Sequence, residues 1–303
     1  MPRICKKKFI INILCIAALM VLMVSIAPQS GAAACGNDAG EVDVTCYGGN
    51  LSAALANALA TDRPLLLPAA TYSLNQTLVI DYATHADSGF RTISQGARID
   101  GTAIHNGPVI AIICSDGTTA KPKGCFYFQK EGTLFVNADT SDFAVRFGLD
   151  NLSDAHNSAK IDHLIINNRS QTATASGLRL NYVLNADIFA VSDAGGGGPG
   201  LDLEQVQFSK ISGAASATNG IAMQIRGGYT MANTIQSMDL EVARSCLVIS
   251  SPSANHNTFV SPYFACPTAL VASNGTSNLL LNPLYAGTSP TNPGPQVGIV
   301  TLP

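Results

Sequence analysis

The chain has 303 residues, a net charge of −3 and only 12% charged residues, with 47% hydrophobic residues, 27 Gly and no Trp. Its Lys and Arg form no patch beyond the first eight residues, which argues against nucleic acid as a partner. Helical patterning nearly vanishes after residue 60, so strands must build the core.

Arg3, Lys6, Lys7 and Lys8 precede an apolar run from Phe9 to Ala27, and Ala32-Ala33-Ala34 supplies a small-x-small cleavage site. Residues 1–34 therefore predict an export signal, with a mature chain that begins at Cys35 and lies outside the cell or in a periplasm. After cleavage no membrane association is expected. The run is long for a signal, so a retained anchor is the alternative. A lipid on Cys35 is a further one, although Ala32 stands where such signals usually place Leu. Six cysteines follow the signal: Cys35, Cys46, Cys114, Cys125, Cys246 and Cys266. Export predicts disulfides, and six cysteines allow about 15 connectivities. Local spacing suggests Cys35–Cys46, Cys114–Cys125 and Cys246–Cys266. The rival, a metal site, lacks any CxxC or HxxxH pair. No metal and no cofactor is expected.

Residues 35–63 hold one helix. Asn50 suits its N-cap, Leu51, Leu55 and Leu59 recur every four residues beside Ala54 and Ala58, and Arg63-Pro64 stops it. The segment Pro64-Leu-Leu-Leu-Pro-Ala-Ala-Thr-Tyr-Ser-Leu74 then opens the strands. A short amphipathic helix followed by LLLPAATYSL resembles the entry to pectin-lyase-like right-handed parallel β-helix proteins. The resemblance implies that the helix plugs one end of a solenoid, covering apolar core and raw strand edges. In place of the acidic run that often precedes this helix, the chain reads Asp43-Val-Thr-Cys-Tyr-Gly-Gly-Asn50.

Farther on the chain repeats itself. Gly177-Leu-Arg-Leu, Gly200-Leu-Asp-Leu, Gly220-Ile-Ala-Met, Cys246-Leu-Val-Ile and Ala269-Leu-Val-Ala start 23, 20, 26 and 23 residues apart. A strand-bearing period of about 20–30 residues predicts a parallel β-solenoid. The expected fold is all-β: a single right-handed parallel β-helix of nine or ten coils over residues 64–290, with a capping helix before it and a tail over 291–303. Leu178, Leu201, Ile221, Leu247 and Leu270 should form one inner column, and Leu180, Leu203, Met223 and Ile249 the next. Asn185, Asn233, Asn257 and Asn278 suggest a stacked ladder at a corner, with Asn157 above it and a rung missing near Phe208. Ordinary turn asparagines are the alternative. Residues 81–98 and 115–123 read as inserted loops.

The resemblance also implies a polysaccharide partner lying along an outer face. The specific hallmarks of polygalacturonases and pectate lyases are absent: no Asn-Thr-Asp, adjacent Asp-Asp, Gly-His-Gly, Arg-Ile-Lys or Arg-x-Pro-x-x-Arg occurs. Hydrolysis needs paired carboxylates, and elimination from a uronate needs a cation and a base. In Met238-Asp239-Leu240-Glu241-Val242, alternation puts Asp239 and Glu241 on one outer face, which makes them the candidate catalytic pair. Arg226 and Arg244 would position an acidic sugar. Arg179, Asp202 and Glu204 would be binding subsites, with Arg179 beside Asp202, and Asn181, Glu204, Gln224, Ser250 and Ser273 in the adjoining outer column. Asp187 and Asp193 could extend either group. Both sets also fit a surface ion-pair cluster. Of the five histidines, His163 follows Asp162, but neighbours on a strand face opposite ways. Gly195, Gly197 and Gly200 satisfy GxGxxG, yet a strand pattern follows, so they read as a turn. The expectation is an exported polysaccharide hydrolase or lyase. The alternatives are a non-catalytic glycan binder and a structural, adhesive solenoid.

Overall fold

Leu178 with Leu180, Leu201 with Leu203, Met223 with Ile225 and Leu247 with Ile249 sit two apart on extended strands, so each pair points the same way. All eight are buried, and the four strands lie in parallel register. The computed structural model describes residues 40–115, 124–148, 155–272, 275–287 and 297–301. The first 34 residues and Cys35 lie outside them, as do most of the expected loop over 115–123 and Ser273. Among the described residues no helix is long and apolar enough to cross a membrane.

The described residues form an all-β parallel solenoid with one short α-helix, and each coil lays down three parallel faces. Face A begins at Val42–Asp43, passes to Leu65–Leu67 and continues through the first halves of Phe90–Gly101, Phe128–Ala138 and Lys160–Asn168. Face B begins at Thr71–Ser73 and takes the second halves of those strands. Face C begins at Leu78–Asp81 and runs through Ile110–Ile113, Phe143–Phe147, Ser176–Asn181 and Pro199–Glu204. The long strands Lys210–Arg226 and Thr234–Ile249 serve all three faces. Val297–Val300 pairs with Asn278–Leu281, so part of the expected tail extends face A.

Helix α1 (Leu51–Thr61) starts where Asn50 accepts from the Ala53 N–H at 3.0 Å, and it buries Leu51, Ala54, Leu55 and Ala58 in the solenoid core. The disulfides Cys114–Cys125 and Cys246–Cys266 are present, with Cα atoms 5.8 and 5.5 Å apart. Cys46 is also disulfide-bonded.

The register corrects one coil. Met223, not Ile221, stands in the column of Leu178, Leu201, Leu247 and Leu270, and Ile225 stands beside Leu203 and Ile249. The repeat therefore opens at Ala222, which makes its spacing nearly uniform. Gly220 is also small and also precedes an apolar residue, which is why it mimics the repeat start. Gln224 moves with the shift: it pairs with Asp202, and Arg226 takes the place beside Glu204.

The asparagine ladder exists at Asn233, Asn257 and Asn278 as expected, whereas Asn185 falls one residue out of its column. Asn233, Asn257 and Asn278 are buried at the corner leading into face A. Asn233 Nδ2 donates to Asn257 Oδ1 at 2.9 Å, and Asn257 Nδ2 donates to Asn278 Oδ1 at 3.0 Å. The Ser209 N–H donates to Asn233 Oδ1, and Ser209 Oγ accepts from the Ala186 N–H. Ser209 thus fills the rung near Phe208. Asn185 is not a rung. It is exposed with φ 53°, in the preceding column of left-handed residues that runs Gly89, Tyr127, Ser158, Asn185, Phe208, Ala232, His256 and Ser277. Asn157 pairs instead with Phe126 and Leu184 in a short three-stranded sheet. Asn257→Ala strands two carbonyl-type acceptors and the Asn233 donors in the interior. It should lower stability by about 3 kcal/mol, since each unsatisfied buried group costs about 1–3 kcal/mol. Asn185→Gly should leave stability within about 0.5 kcal/mol, because glycine accepts positive φ. Urea denaturation of both variants checks the contrast.

Residues 90–98 are strand rather than loop. The inward positions there carry polar groups, which hides the alternation. Thr92 and Ser94 are buried and donate to the carbonyls of Gln129 and Thr133. On the next coil Lys130 also points inward, 4% exposed, beside a small void of about 30 Å³ lined by Leu67, Thr92, Phe128 and Ile161. Its ammonium donates to the carbonyls of Gly132 and Asp162. Burial pulls its pKa down from 10.5 to about 8, against the opposing pull of Asp162. Between those values the unfolded chain binds the extra proton, so this group makes stability rise with pH from about 8 to 10.5. Lys130→Met should abolish that increment, and its stability relative to wild type should fall as pH rises from 7 to 10. Parallel denaturation curves across that range would refute the assignment.

Candidate functional site

Face B presents two outward columns of opposite character. One runs Thr71, Arg98, Phe135, Ile165, Val191, Ala214, Asp239, Tyr263 and Leu284. Its middle is apolar, because four successive coils place Phe135, Ile165, Val191 and Ala214 there. The second runs Ser73, Asp100, Asn137, Asn167, Asp193, Ser216, Glu241 and Ala265, rich in carboxylates, amides and hydroxyls. Rungs repeat every ~4.8 Å, so the columns form parallel apolar and hydrogen-bonding stripes along the axis. An extended chain with apolar faces and polar edges matches such a pair of stripes. Arg98 lies over the Phe135 ring at 5.0 Å, and Ser216 donates to Asp193 at 2.8 Å.

Asp239 and Glu241 stand side by side on this face, one on each stripe. Their α-carbons are about 6.6 Å apart by strand geometry. Glu241 is exposed next to Ser216, and Asp239 is half-buried between Ala214 and Tyr263. Asp239 Oδ1 is buried with no hydrogen-bond partner among the described residues. Buried carboxyl oxygens are normally satisfied, so this oxygen is free to take a donor from a bound molecule. Arg244 is exposed just past the bulge at Val242 (φ 48°) and makes no ion pair among the described residues.

Arg226 does not join them. It belongs to face C, where it closes a four-charge network with the other three expected binding residues. Its Nε donates to Asp202 Oδ1 at 2.9 Å and its Nη2 to Oδ2 at 2.7 Å. Its Nη2 also lies 3.3 Å from Glu204 Oε2. Arg179 pairs with Glu204, sits 3.6 Å from Asp202 and lies over the Phe143 ring at 5.5 Å. Asp202 is 0% exposed and Arg179 7%. Burial pushes the Asp202 carboxyl up, while the hydrogen bond and charge of Arg226 and the charge of Arg179 pull it back. Asp202 and Arg179 are too buried to meet a polymer directly, whereas Glu204 and Arg226 keep partly exposed side chains, and the four form one ion-pair network. The register places Arg226, not Gln224, beside Glu204, and the outward Asp202 is buried by its arginine partners rather than solvated.

His163 corrects a second inference. A bulge between Ile161 and Leu164 gives His163 φ 46°, and this breaks the alternation. Its Nδ1 meets Asp162 Oδ1 after all, and its ring lies 4.6 Å from Phe189. The pair is exposed at the corner between faces A and B. A bulge leaves no mark in the residue pattern beyond the missed period. Asp187 is exposed on face A beside Lys210, away from both groups. The glycines Gly195, Gly197 and Gly200 precede or open the strand Pro199–Glu204, with no helix after them. Among the described residues no group of His, Cys, Asp and Glu is arranged to hold a metal. Comparison of the chain with protein-family models and with curated proteins finds no match.

Proposed function

We propose that the chain is an exported, pectin-lyase-like right-handed β-helix protein that lays an extracellular polysaccharide along face B and hydrolyses it. The observation that carries this reading is the same-face pair Asp239 and Glu241, set where an apolar stripe meets a hydroxyl- and carboxylate-bearing one. Asp239, with an oxygen committed to no protein donor, faces the bridging oxygen as general acid. Glu241, in solvent, activates water as general base. Carboxyl groups about 6.5–9.5 Å apart give inversion and those about 5–5.5 Å apart give retention, so the anomeric configuration of the first-formed product tells the two hydrolytic routes apart. Elimination is disfavoured because Arg179 and Arg226 are bound to carboxylates on face C, which leaves Arg244 as the one expected cation near the pair among the described residues. The second reading is a non-catalytic glycan binder, which the two stripes support without any chemistry at the acids.

The test is a panel of neutral and acidic polysaccharides incubated with the mature protein. New reducing ends without unsaturated-uronate absorbance are expected. Absorbance would replace hydrolysis with elimination, and binding without new ends would leave the second reading.

A further inference from the structure

A cleft of about 310 Å³ lies between the C-terminal end of α1 and the start of face A, lined among others by Asp62, Arg63, Ser88, Arg91, Tyr127 and Gln129. That is the lower end of small-molecule site volumes. Most of its charged side chains are engaged by partners of their own. Arg91 is fixed by a two-pronged bond to Glu131, at 2.9 and 2.7 Å, which occupies both carboxylate oxygens. Asp62 is engaged by His85 Nδ1 at 3.0 Å. Arg63 differs: it is anchored only by Nη2 donating to the Glu41 carbonyl at 2.7 Å, and it has no carboxylate partner among the described residues. The half-buried Arg63 guanidinium is thus held by a backbone carbonyl rather than by a carboxylate, and keeps donors for an anionic group.

Tyr127 supplies the second element. It holds φ 59° and is 51% exposed, at a column position where bulky residues are disfavoured. The residue above it in that column is Gly89, itself on the cleft wall, where a Cβ would come within 2.7 Å of Tyr127 Cβ. Ser158 lies below. Small neighbours on both sides leave the ring open, with Phe126 as its ring contact at 5.9 Å. An open aromatic face beside a guanidinium is suited to a sugar ring that bears a carboxylate.

We propose that this cleft binds a uronic acid residue, stacked on Tyr127 with its carboxylate on Arg63. It rests on the polysaccharide reading only in the choice of ligand class, and its site is separate from Asp239 and Glu241. The test is titration of the mature protein with glucuronate, galacturonate and glucose, followed by NMR shifts and calorimetry. The uronates should bind at least about tenfold more tightly than glucose, the margin of one charge-assisted contact. Tyr127→Gly relaxes the backbone, so its melting temperature should hold while uronate affinity falls about tenfold or more. Arg63→Gln should erase the preference for uronates over glucose. The shifts should fall on cleft residues and leave Tyr263 and Leu284 of face B unmoved, which separates the two sites. Uronate binding unaltered in both Tyr127→Gly and Arg63→Gln, or no perturbation of cleft resonances by any of the three sugars, would overturn the proposal.

Discussion

Asp239→Asn and Glu241→Gln are each expected to lower turnover on the cleaved polysaccharide by about 10²–10⁴-fold, the range for loss of a general acid or base. Both replacements keep volume and shape. Neither side chain takes part in an ion pair among the described residues, so stability should hold. The two variants should differ in form. Glu241 is exposed, and losing it removes the activation of water. An activated leaving group should therefore rescue Asp239→Asn, whose missing role is leaving-group protonation, and should not rescue Glu241→Gln. Turnover within a few-fold of wild type in both would move the chemistry elsewhere, with the Asp162–His163 pair the next constellation to test.

Asp202→Ala should be the most damaging of the charge substitutions. It removes the acceptor of a bidentate Arg226 bond and leaves Arg179, itself 7% exposed, with less negative charge around it. Breaking a buried ion pair from one side costs about 3–5 kcal/mol, because the surviving charge stays desolvated. Removing both partners removes much of that penalty, so Asp202→Ala with Arg226→Met should be less destabilised than Asp202→Ala alone. Denaturation midpoints of the three proteins check this. A loss below about 1 kcal/mol for Asp202→Ala would mark the network as an ordinary surface cluster.

The solenoid was legible because its cause is local and repeated. Leu178, Leu201, Leu247 and Leu270 recur at one spacing, and only a stack of coils buries them all. The disulfides Cys114–Cys125 and Cys246–Cys266 followed from spacing in the same way. Phase was harder. Ala222 and Gly220 both look like repeat starts, and only the register shows that the coil begins at Ala222. Asn185 and Asn233 look alike in sequence, yet one accepts positive φ at the surface and the other bonds its neighbours one column further in. Inward Thr92, Ser94 and Lys130 erased the alternation that would have marked their strands. At the site, alternation alone placed Asp239 beside Glu241. It could not tell that Arg226 belongs to another face, nor that a bulge would turn His163 toward Asp162, since both depend on contacts between coils.

Face B is the central claim, and side-chain footprinting by hydroxyl radicals tests it most directly. With the polysaccharide identified by the panel bound to Asp239→Asn protein, Phe135, Tyr263 and Leu284 should lose reactivity together, while Val248 and Val271 on face C keep theirs. Protection of Val248 and Val271 with Tyr263 unchanged would contradict the account and place the polymer on the face of the Arg179–Asp202–Glu204–Arg226 network.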